Sequence, residues 1–311
     1  MKLLIAFSFA ALLILEMAAR QFAVKSSAGD PNQDDRDNRP LFSFGVISDV
    51  QYADKAPYGE RNYRSSLVKL KEALETFSSN SINFIVNMGD LIDEGYESYK
   101  PVLNILNSSE FKCYHLTGNH DYSVDPRYLT RLPVFTESRE GYYSIIYFDY
   151  RIIFVNGNEI STYAAPNSSL RREAEKYIAD LKAAGEMNAI EWNGGVGDVQ
   201  LEWIKDQLNE AVDNKERVIM ICHFPIAPEN IHNLLNYKSL IKLISNYPNI
   251  VAWFSGHNHE GNYYTANKVH YVTFKGMVET RRSNSFAIVD IYKNRIVIKG
   301  FGREQSRILD L

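Results

Sequence analysis

The chain has 311 residues, of which 45% are apolar, and its formal net charge is −4 at pH 7. This apolar fraction excludes an intrinsically disordered protein, because it suffices to bury one large core or two modest ones. Lysine and arginine are spread along the chain rather than clustered, so the sequence offers no basic surface for nucleic acid.

The first 40 residues differ in composition from the rest. Lys2 precedes an apolar stretch over Leu3–Leu15, which has the length of a signal-peptide core and is too short to span a bilayer comfortably. We therefore predict a signal peptide or N-terminal anchor over residues 1–28, a polar linker over 29–40 and a folded domain over 41–311. The protein is expected to be exported, and to stay at a membrane only if the first segment is not cleaved.

Five short apolar runs in the folded domain are typical of buried strands. They are Leu41–Ser48, Ile82–Met88, Lys112–Thr117, Arg217–Cys222 and Ile250–Phe254. Helical periodicity separates them, and we predict helices over Tyr63–Ser78, Tyr96–Leu106, Leu170–Ala184, Val199–Val212 and Ile231–Ser245. The alternation of strands and helices predicts an α/β fold.

A second set of strand patterns is joined by short polar turns. Its members are Tyr142–Phe148, Arg151–Val155, Tyr263–Ala266, Val269–Phe274, Phe286–Tyr292 and Arg295–Gly300. Short turns predict antiparallel hairpins, so the sheets are expected to be mixed. Two long irregular stretches, Gly157–Ser169 and Ala183–Gly197, either cover a functional site or are plain surface loops.

The two cysteines, Cys113 and Cys222, each lie inside a predicted strand. Buried free thiols are the expected state. A disulfide between them stays open for an exported protein, but it would require the two strands to be neighbours. Neither cysteine is placed like a nucleophile.

Polar segments follow each of the five buried runs. They are Asp49-Val50-Gln51, Gly89-Asp90, Gly118-Asn119-His120, His223 and Gly256-His257-Asn258-His259. Because an open sheet binds ligands beyond the carboxyl ends of its strands, we expect these side chains to meet at one edge. A single Asp or His in a loop is usually a cap or a solvated turn residue. Two carboxylates, two amides and four histidines in this arrangement instead predict a dinuclear metal site.

The chain order Asp-x-Gln, Gly-Asp, Gly-Asn-His, His, Gly-His-x-His is also the signature of the calcineurin-like metallophosphoesterases, which this sequence resembles closely. The resemblance implies a four-layer α-β-β-α sandwich of two mixed sheets, with 41–311 as the catalytic domain. It implies two metal groups that share a bridging carboxylate, namely Asp49, Gln51, Asp90 and His259 for one metal and Asp90, Asn119, His223 and His257 for the other. Two cations that share a carboxylate lie about 3.5–4 Å apart, close enough to share an attacking hydroxide.

The resemblance gives His120 a catalytic rather than a metal-binding role. His120 would stand beside the substrate and stabilise its charge or protonate the leaving group, and Asp93 would orient this histidine. Asp121 is expected to cap the following turn instead. His257 and His259 alternate along an extended segment, so we expect the backbone to turn at Gly256 to let them reach separate metals.

The ligand types narrow the choice of metal. Imidazole and carboxylate without thiolate suit Mn²⁺, Fe or Zn²⁺ rather than Ca²⁺. Gln51 stands where most of the superfamily has histidine, and its harder amide oxygen favours Mn²⁺ or Mg²⁺. We therefore expect two divalent ions, with Mn²⁺ first.

Flanking segments resemble one branch of the superfamily, the manganese-dependent ADP-ribose/CDP-alcohol diphosphatases. The segments are Phe42–Asp54, Asn62–Leu67 and Gly194–Trp203, and the similarity covers about Phe42–Gly302. It implies hydrolysis of the phosphoanhydride bond of a nucleoside diphosphate conjugate such as ADP-ribose or a CDP-alcohol. Four residues are candidates to bind the phosphate or the base of such a substrate, namely Tyr52, Asn62, Tyr63 and Arg64. The alternative is a surface role for all four.

Other functions stay open from the sequence alone. A phosphomonoesterase or a cyclic-nucleotide phosphodiesterase would use the same metals with a different rim. Two further alternatives belong to other functional classes, namely a non-catalytic binding module and a structural cell-envelope protein. The intact ligand set weighs against the binding module. The expected partner is a small, nucleotide-linked phosphate substrate rather than nucleic acid, and the protein is expected to be a monomer.

Overall fold

The computed structural model describes residues 39–164 and 169–311, and twelve strands within these ranges form two six-stranded sheets. In chain order they are β1 Phe42–Ile47, β2 Phe84–Asn87, β3 Cys113–His115, β4 Tyr143–Tyr147, β5 Tyr150–Val155, β6 Arg217–Cys222, β7 Ile250–Ser255, β8 Asn262–Ala266, β9 Val269–Thr273, β10 Ser285–Ile291, β11 Arg295–Gly302 and β12 Arg307–Asp310.

Both sheets are mixed, as the sequence predicts. The first has the strand order β12-β11-β10-β1-β2-β3, in which β1, β2 and β3 are parallel and the other three pair antiparallel. The second has the order β4-β5-β6-β7-β9-β8, in which β5, β6, β7 and β9 are parallel and both edge strands are antiparallel. The parallel strands therefore form one half of the first sheet and the centre of the second.

Five α-helices in the described ranges connect the parallel strands. They are α1 Ser66–Ser79, α2 Tyr99–Leu106, α3 Ser169–Ala183, α4 Asp198–Asp213 and α5 Tyr237–Ile244. The predicted helices at Tyr63 and Tyr96 each begin with three residues of 3₁₀ helix. Strand β12 and the 3₁₀ segments His120–Tyr122 and Pro126–Phe135 were not predicted.

The predicted helix over Ile231–Ser245 is wrong in its first half. Only Tyr237–Ile244 is helical. Asn236 uses both ends of its amide on Val196, accepting from the Val196 amide at 3.1 Å and donating to its carbonyl at 2.7 Å. This cross-link ties the preceding residues to another loop, so they do not continue a helix.

The three main clusters of buried apolar residues lie between the two sheets and on the outer face of each sheet. One core lies between the sheets and includes Phe44, Phe84, Phe154 and Phe254. A second joins the outer face of the second sheet to α4 and α5, and a third joins the outer face of the first sheet to α1 and α2. The arrangement is the predicted α-β-β-α sandwich, and Leu41–Leu311 packs as one unit.

The predicted signal or anchor segment, residues 1–28, lies outside the described residues, as does all but the end of the predicted linker. Export and cleavage therefore stay predictions. Among the residues that are described, no helix is long and apolar enough to cross a membrane. Cys113 and Cys222 are both free and lie in different sheets, and burial raises the pKa of the Cys113 thiol, so neither resembles a nucleophile.

Candidate metal centre

The carboxyl ends of the parallel strands meet at one edge, where the polar segments lie. Strands β1, β2 and β3 end level with one another, since Ile47 pairs with Asn87 and Asn87 pairs with His115. The loops that follow are tied together: the Gln51 amide donates to the Asp90 carbonyl at 2.8 Å. The second sheet adds the ends of β6 and β7, with the Gly256 amide donating to the His223 carbonyl at 2.9 Å. The convergence predicted from the sequence is what the fold produces.

Four of the predicted ligands adopt left-handed backbone conformations that are unusual for residues other than glycine. Their φ angles are 51° at Asp49, 42° at Gln51, 55° at Asp90 and 66° at His257. Such conformations cost free energy and concentrate at functional sites. The expected turn at Gly256 is therefore one residue too early, because the left-handed residue is His257. Gly256 is required for another reason: a Cβ there would lie 2.1 Å from the Ser48 hydroxyl.

Asp90, His223 and His257 form a compact group of potential metal ligands. One ligand atom from each lies within 4.8 Å of the other two, and all three residues are buried. His223 donates from Nδ1 to the Met88 carbonyl at 2.9 Å, so in the neutral imidazole its Nε2, which lies 3.4 Å from Asp90 Oδ2, is unprotonated. The main chain thus fixes the tautomer that a metal ligand needs.

Asn193 fixes the tautomer of His257. The Asn193 amide nitrogen donates to the carbonyls of Asn188 at 3.0 Å and Ile231 at 2.7 Å, so its oxygen must be the atom 3.0 Å from His257 Nε2. An amide oxygen only accepts, so Nε2 carries the proton and Nδ1 is free to bind a metal. Asn193 is fully buried, which makes this arrangement rigid.

Asp49, Gln51 and His259 form the second group around Asp90. His259 Nε2 lies 3.3 Å from Asp49 Oδ1 and 3.2 Å from the side-chain nitrogen Nε2 of Gln51. This Gln51 nitrogen lies 3.0 Å from Asp90 Oδ2. His259 donates from Nδ1 to Glu279 Oε1 at 2.6 Å, so its Nε2 faces the group unprotonated when the imidazole is neutral. Asp90 borders both groups, as a bridging ligand must.

The unpaired polar atoms of the site fit bound cations. Buried atoms without a hydrogen-bond partner include Asp49 Oδ1, Gln51 Oε1, Asn119 Oδ1 and His223 Nε2. Buried polar groups normally have partners, and each unpaired one calls for an explanation. These four belong to predicted ligands and offer oxygen or imidazole nitrogen, the donor types that Mn²⁺, Fe and Zn²⁺ accept. The residues present therefore fit a two-metal centre.

Mutual pairing shifts the pKa values of the carboxylates and histidines. Burial acts to raise the pKa of Asp90, but His223 and His120 outweigh it, so the pKa is lowered. Burial acts to lower the pKa of His223 and of His259, but Asp90 and Asp49 respectively outweigh it and raise both to about 9. Without a metal, the site therefore holds protons in the place of cations.

His120 and Asp93 form the predicted catalytic pair. His120 Nδ1 lies 3.1 Å from Asp93 Oδ1, and Asp93 is also paired with Lys55. Burial acts to lower the pKa of His120, but the charges of Asp90 and Asp93 outweigh it and raise the pKa. The contact to Asp93 leaves His120 Nε2 pointing to the cavity.

The sequence suggested that Asp121 caps the following turn, but in the structure it does not. Its buried carboxylate accepts from the amides of Asp90 at 2.8 Å, Leu91 at 3.1 Å and Gly118 at 2.8 Å, and from the Tyr99 hydroxyl at 3.0 Å. These bonds reach backward to the loops after β2 and β3. Asp121 therefore holds the left-handed Asp90 in place.

A cavity of 290 Å³ opens over the two groups of ligands. Besides predicted ligands and His120, it is lined by Arg61, Trp192 and His232. Arg61 Nη1 lies 3.5 Å from His120 Nε2, and Arg61 Nε lies 3.7 Å from Glu279 Oε1. Part of the irregular stretch Ala183–Gly197 thus borders the site, through Trp192 and Asn193.

The four residues proposed for substrate binding do not line this cavity. Tyr63 is buried and Tyr52 is half-buried, while Asn62 and Arg64 line a separate cavity with Lys55 and Arg281. Arg64 is mostly exposed, and its Nε donates to Asp54 at 2.5 Å. The arginine that lines the cavity is Arg61, three residues before the predicted Arg64, and backbone bridges pair it with Tyr58 and Glu279.

Sequence reasoning missed Arg61, Asn193 and Glu279. Asn193 immediately precedes the Gly194–Trp203 segment that resembles the diphosphatase branch, and Arg61 immediately precedes Asn62. Those positions were the available signals. Glu279 lies six residues beyond the end of β9 and in no motif, and only its contact with His259 shows its role.

Comparisons with known proteins agree with this geometry. Residues 42–261 match the family model described as calcineurin-like phosphoesterase. A manganese-dependent ADP-ribose/CDP-alcohol diphosphatase of Arabidopsis thaliana is 30% identical over 86% of this chain and 96% of its own length. The protein of that name from Xenopus laevis is 27% identical over 89% of this chain and 92% of its own.

A solved structure supports the fold independently. A dimetal phosphatase from Danio rerio superposes with a TM-score of 0.79, covering 87% of this chain and 99% of that chain at 23% identity. The family match spans the strands and all of the loops that carry the predicted ligands. The chain therefore belongs to the calcineurin-like phosphoesterase family and is a dinuclear metallophosphoesterase.

Proposed function

We propose that this metallophosphoesterase hydrolyses the phosphoanhydride bond of nucleoside diphosphate conjugates such as ADP-ribose or CDP-alcohols. The observation that carries the proposal is the cavity that Arg61 and His120 line beside the ligand groups, found in a chain whose relatives over most of its length are named for this activity. Two metal ions, with Mn²⁺ as the first choice, would be held by Asp49, Gln51, Asp90, Asn119, His223, His257 and His259.

The metals, when bound, supply a Lewis acid that polarises the phosphate and activates water near neutral pH. The chain's own residues would do the rest. Asp90 holds both groups of ligands in register, and its Oδ1 accepts from the His120 amide at 2.8 Å. Five of the seven ligand residues are buried, which makes the cavity floor rigid enough to orient the phosphate before reaction, namely Asp49, Gln51, Asp90, His223 and His257.

His120 and Arg61 would act on the part of the substrate that leaves. Arg61 Nη1 and His120 Nε2 lie 3.5 Å apart and both line the cavity. When His120 is protonated, both atoms donate, and an anionic phosphoryl oxygen between them would accept from each. His120, held by Asp93, would then give its proton to the departing oxygen.

A substrate panel tests the proposal. Protein stripped of metal is offered ADP-ribose, CDP-choline, a cyclic nucleotide and p-nitrophenyl phosphate, each with Mn²⁺, Mg²⁺ or Zn²⁺. We expect the two diphosphate conjugates to be cleaved with the highest kcat/KM, and Mn²⁺ to support the fastest turnover. Release of AMP or CMP identifies the broken bond as the anhydride.

The same panel would reject the proposal. Preferred turnover of p-nitrophenyl phosphate would indicate a phosphomonoesterase, and preferred turnover of the cyclic nucleotide would indicate a phosphodiesterase. An Asp90→Asn variant serves as the control for contaminating hydrolases, because it removes the carboxylate that both ligand groups share. Activity that persists in this variant does not come from the centre described above.

A further inference from the structure

A buried lysine of α1 fastens the turn Met277–Thr280. Lys69 is 3% exposed, and its Nζ donates to the carbonyls of Met277 at 2.7 Å, Glu279 at 2.8 Å and Thr280 at 2.6 Å. An ammonium group has three protons, so these three carbonyls use them all. Burying an ammonium group costs free energy unless each of its protons is hydrogen-bonded. All three of these hydrogen bonds go to the same turn.

This turn borders the metal centre on two sides. Its amides donate to the carbonyls of Ser48 at 2.9 Å and of the predicted ligand Asp49 at 3.0 Å. On its other side, an amide of the turn donates to the Glu60 carbonyl at 2.7 Å, and the Asn62 amide donates to the turn at 2.9 Å. The turn therefore lies between the end of β1 and the segment that carries Arg61.

Glu279 is the residue of the turn that reaches into the centre. Its Oε1 accepts from His259 Nδ1 at 2.6 Å and lies 3.7 Å from Arg61 Nε. One carboxylate thus orients a predicted ligand and the arginine of the cavity. The next residue, Thr280, has a φ of 61°, which is unfavourable for a β-branched side chain. A turn with this conformation needs bonds such as those from Lys69 to keep its shape.

We propose that Lys69 is a positioning residue for the metal centre, which holds the turn Met277–Thr280 so that Glu279 orients His259 and Arg61. Lys69 acts through Glu279, since its three hydrogen bonds go to the turn rather than to the ligands. Burial and the nearby charge of Arg303 lower the pKa of Lys69 to about 8, so the ammonium keeps its three protons at neutral pH. The role does not depend on which phosphoester is cleaved.

Metal affinity tests this role. The full chain is stripped of metal and titrated with Mn²⁺ alone by calorimetry, before and after the substitution Lys69→Met. Loss of a group that orients a metal ligand typically weakens metal binding by about 10- to 100-fold, and we expect a loss in this range. Lys69→Gln retains two N–H donors and should lose less. Leu70→Ala is the matched control, because it perturbs the same helix inside the apolar core.

A double-mutant cycle separates positioning from general stability. If Lys69 acts through Glu279, the variant with both Lys69→Met and Glu279→Gln binds Mn²⁺ no more weakly than Glu279→Gln alone. Unchanged Mn²⁺ binding in Lys69→Met, multiplied losses in the double variant, or an equal loss in Leu70→Ala would each overturn the proposal. Should Lys69→Met fail to fold, Lys69→Gln with Glu279→Gln completes the same cycle.

Discussion

Arg61 Nη1 lies 3.5 Å from His120 Nε2, and these two atoms face the same cavity above the metal ligands. Each is supported from behind by a carboxylate, since Glu279 lies beside Arg61 and Asp93 beside His120. The pair therefore presents two fixed donors to whatever anion enters the cavity.

Arg61→Ala should weaken substrate binding far more than Arg64→Ala. A hydrogen bond to a charged group contributes about 1.5–3 kcal/mol, so we expect kcat/KM for ADP-ribose to fall about 10- to 150-fold in Arg61→Ala. Arg64 is exposed and bonded to Asp54, and its removal should change kcat/KM by less than about threefold, as for other surface ion pairs. Steady-state kinetics of the two variants makes the comparison. An equal loss of kcat/KM in both variants would contradict binding of the phosphate in the cavity that Arg61 lines.

His120→Ala should slow hydrolysis of ADP-ribose without weakening metal binding. A proton given to the departing oxygen contributes about 10²–10⁴-fold, and we expect kcat to fall by a factor in this range. Mn²⁺ affinity should stay near that of the parent, because no metal is assigned to His120. Steady-state kinetics and calorimetry measure the two effects. A kcat close to that of the parent would argue against proton donation by His120.

Asn193→Leu should weaken metal binding without touching a metal. The Asn193 oxygen fixes the proton of His257 on Nε2, and loss of such a partner typically costs about 10- to 100-fold in affinity. Calorimetry with Mn²⁺ measures the change. Asn233→Ala is the control, since Asn233 is an equally buried amide that donates to the Pro228 carbonyl at 3.1 Å. A loss of affinity in Asn233→Ala as large as in Asn193→Leu would contradict this role.

Metal affinity should rise with pH up to about pH 9. In the metal-free protein, Asp90 and Asp49 raise the pKa of His223 and His259 to about 9, so binding at neutral pH must displace these protons. Each displaced proton makes the apparent affinity rise about tenfold per pH unit. Titrations with Mn²⁺ between pH 6 and pH 9 would show the slope, and a flat profile would exclude the proton exchange.

The stability of the metal-free protein should change in the opposite direction. A histidine whose pKa is raised on folding stabilises the protein fully below its unfolded pKa of about 6.5. This contribution is lost as pH rises through about 9, so the melting temperature without metal should fall over that interval. Protein loaded with Mn²⁺ serves as the comparison and should not show this fall, because His223 and His259 are neutral throughout when they bind metal. A metal-free melting temperature that rises from pH 6.5 to 9 would contradict the pairing.

The ligands could be predicted because each lies within four residues of the end of a strand. Apolar runs place Asp49, Asp90 and His223 just beyond strand ends, and parallel strands bring their ends to one edge whatever the loop lengths. The order of residue types then distinguishes a metal site from ordinary turns. Local composition was enough for these positions.

The supporting residues could not be predicted, because their roles depend on contacts between distant parts of the chain. Asn193 reaches His257 across 64 positions, and Lys69 reaches the turn at Glu279 across 210. In the sequence, Lys69 is one lysine on an amphipathic helix, where a solvated side chain is the usual outcome. The inward turn of Arg61 instead of Arg64 likewise depends on a bridge to Glu279 on another segment.

The most direct test of the central claim is the number of metal ions that the site binds. Metal-stripped protein is titrated with Mn²⁺, and ADP-ribose hydrolysis is followed in the same samples. We predict two ions per chain, with hydrolysis absent before metal is added and lost again in Asp90→Asn. Full hydrolysis in the presence of a strong chelator, or no Mn²⁺ bound at all, would contradict the account.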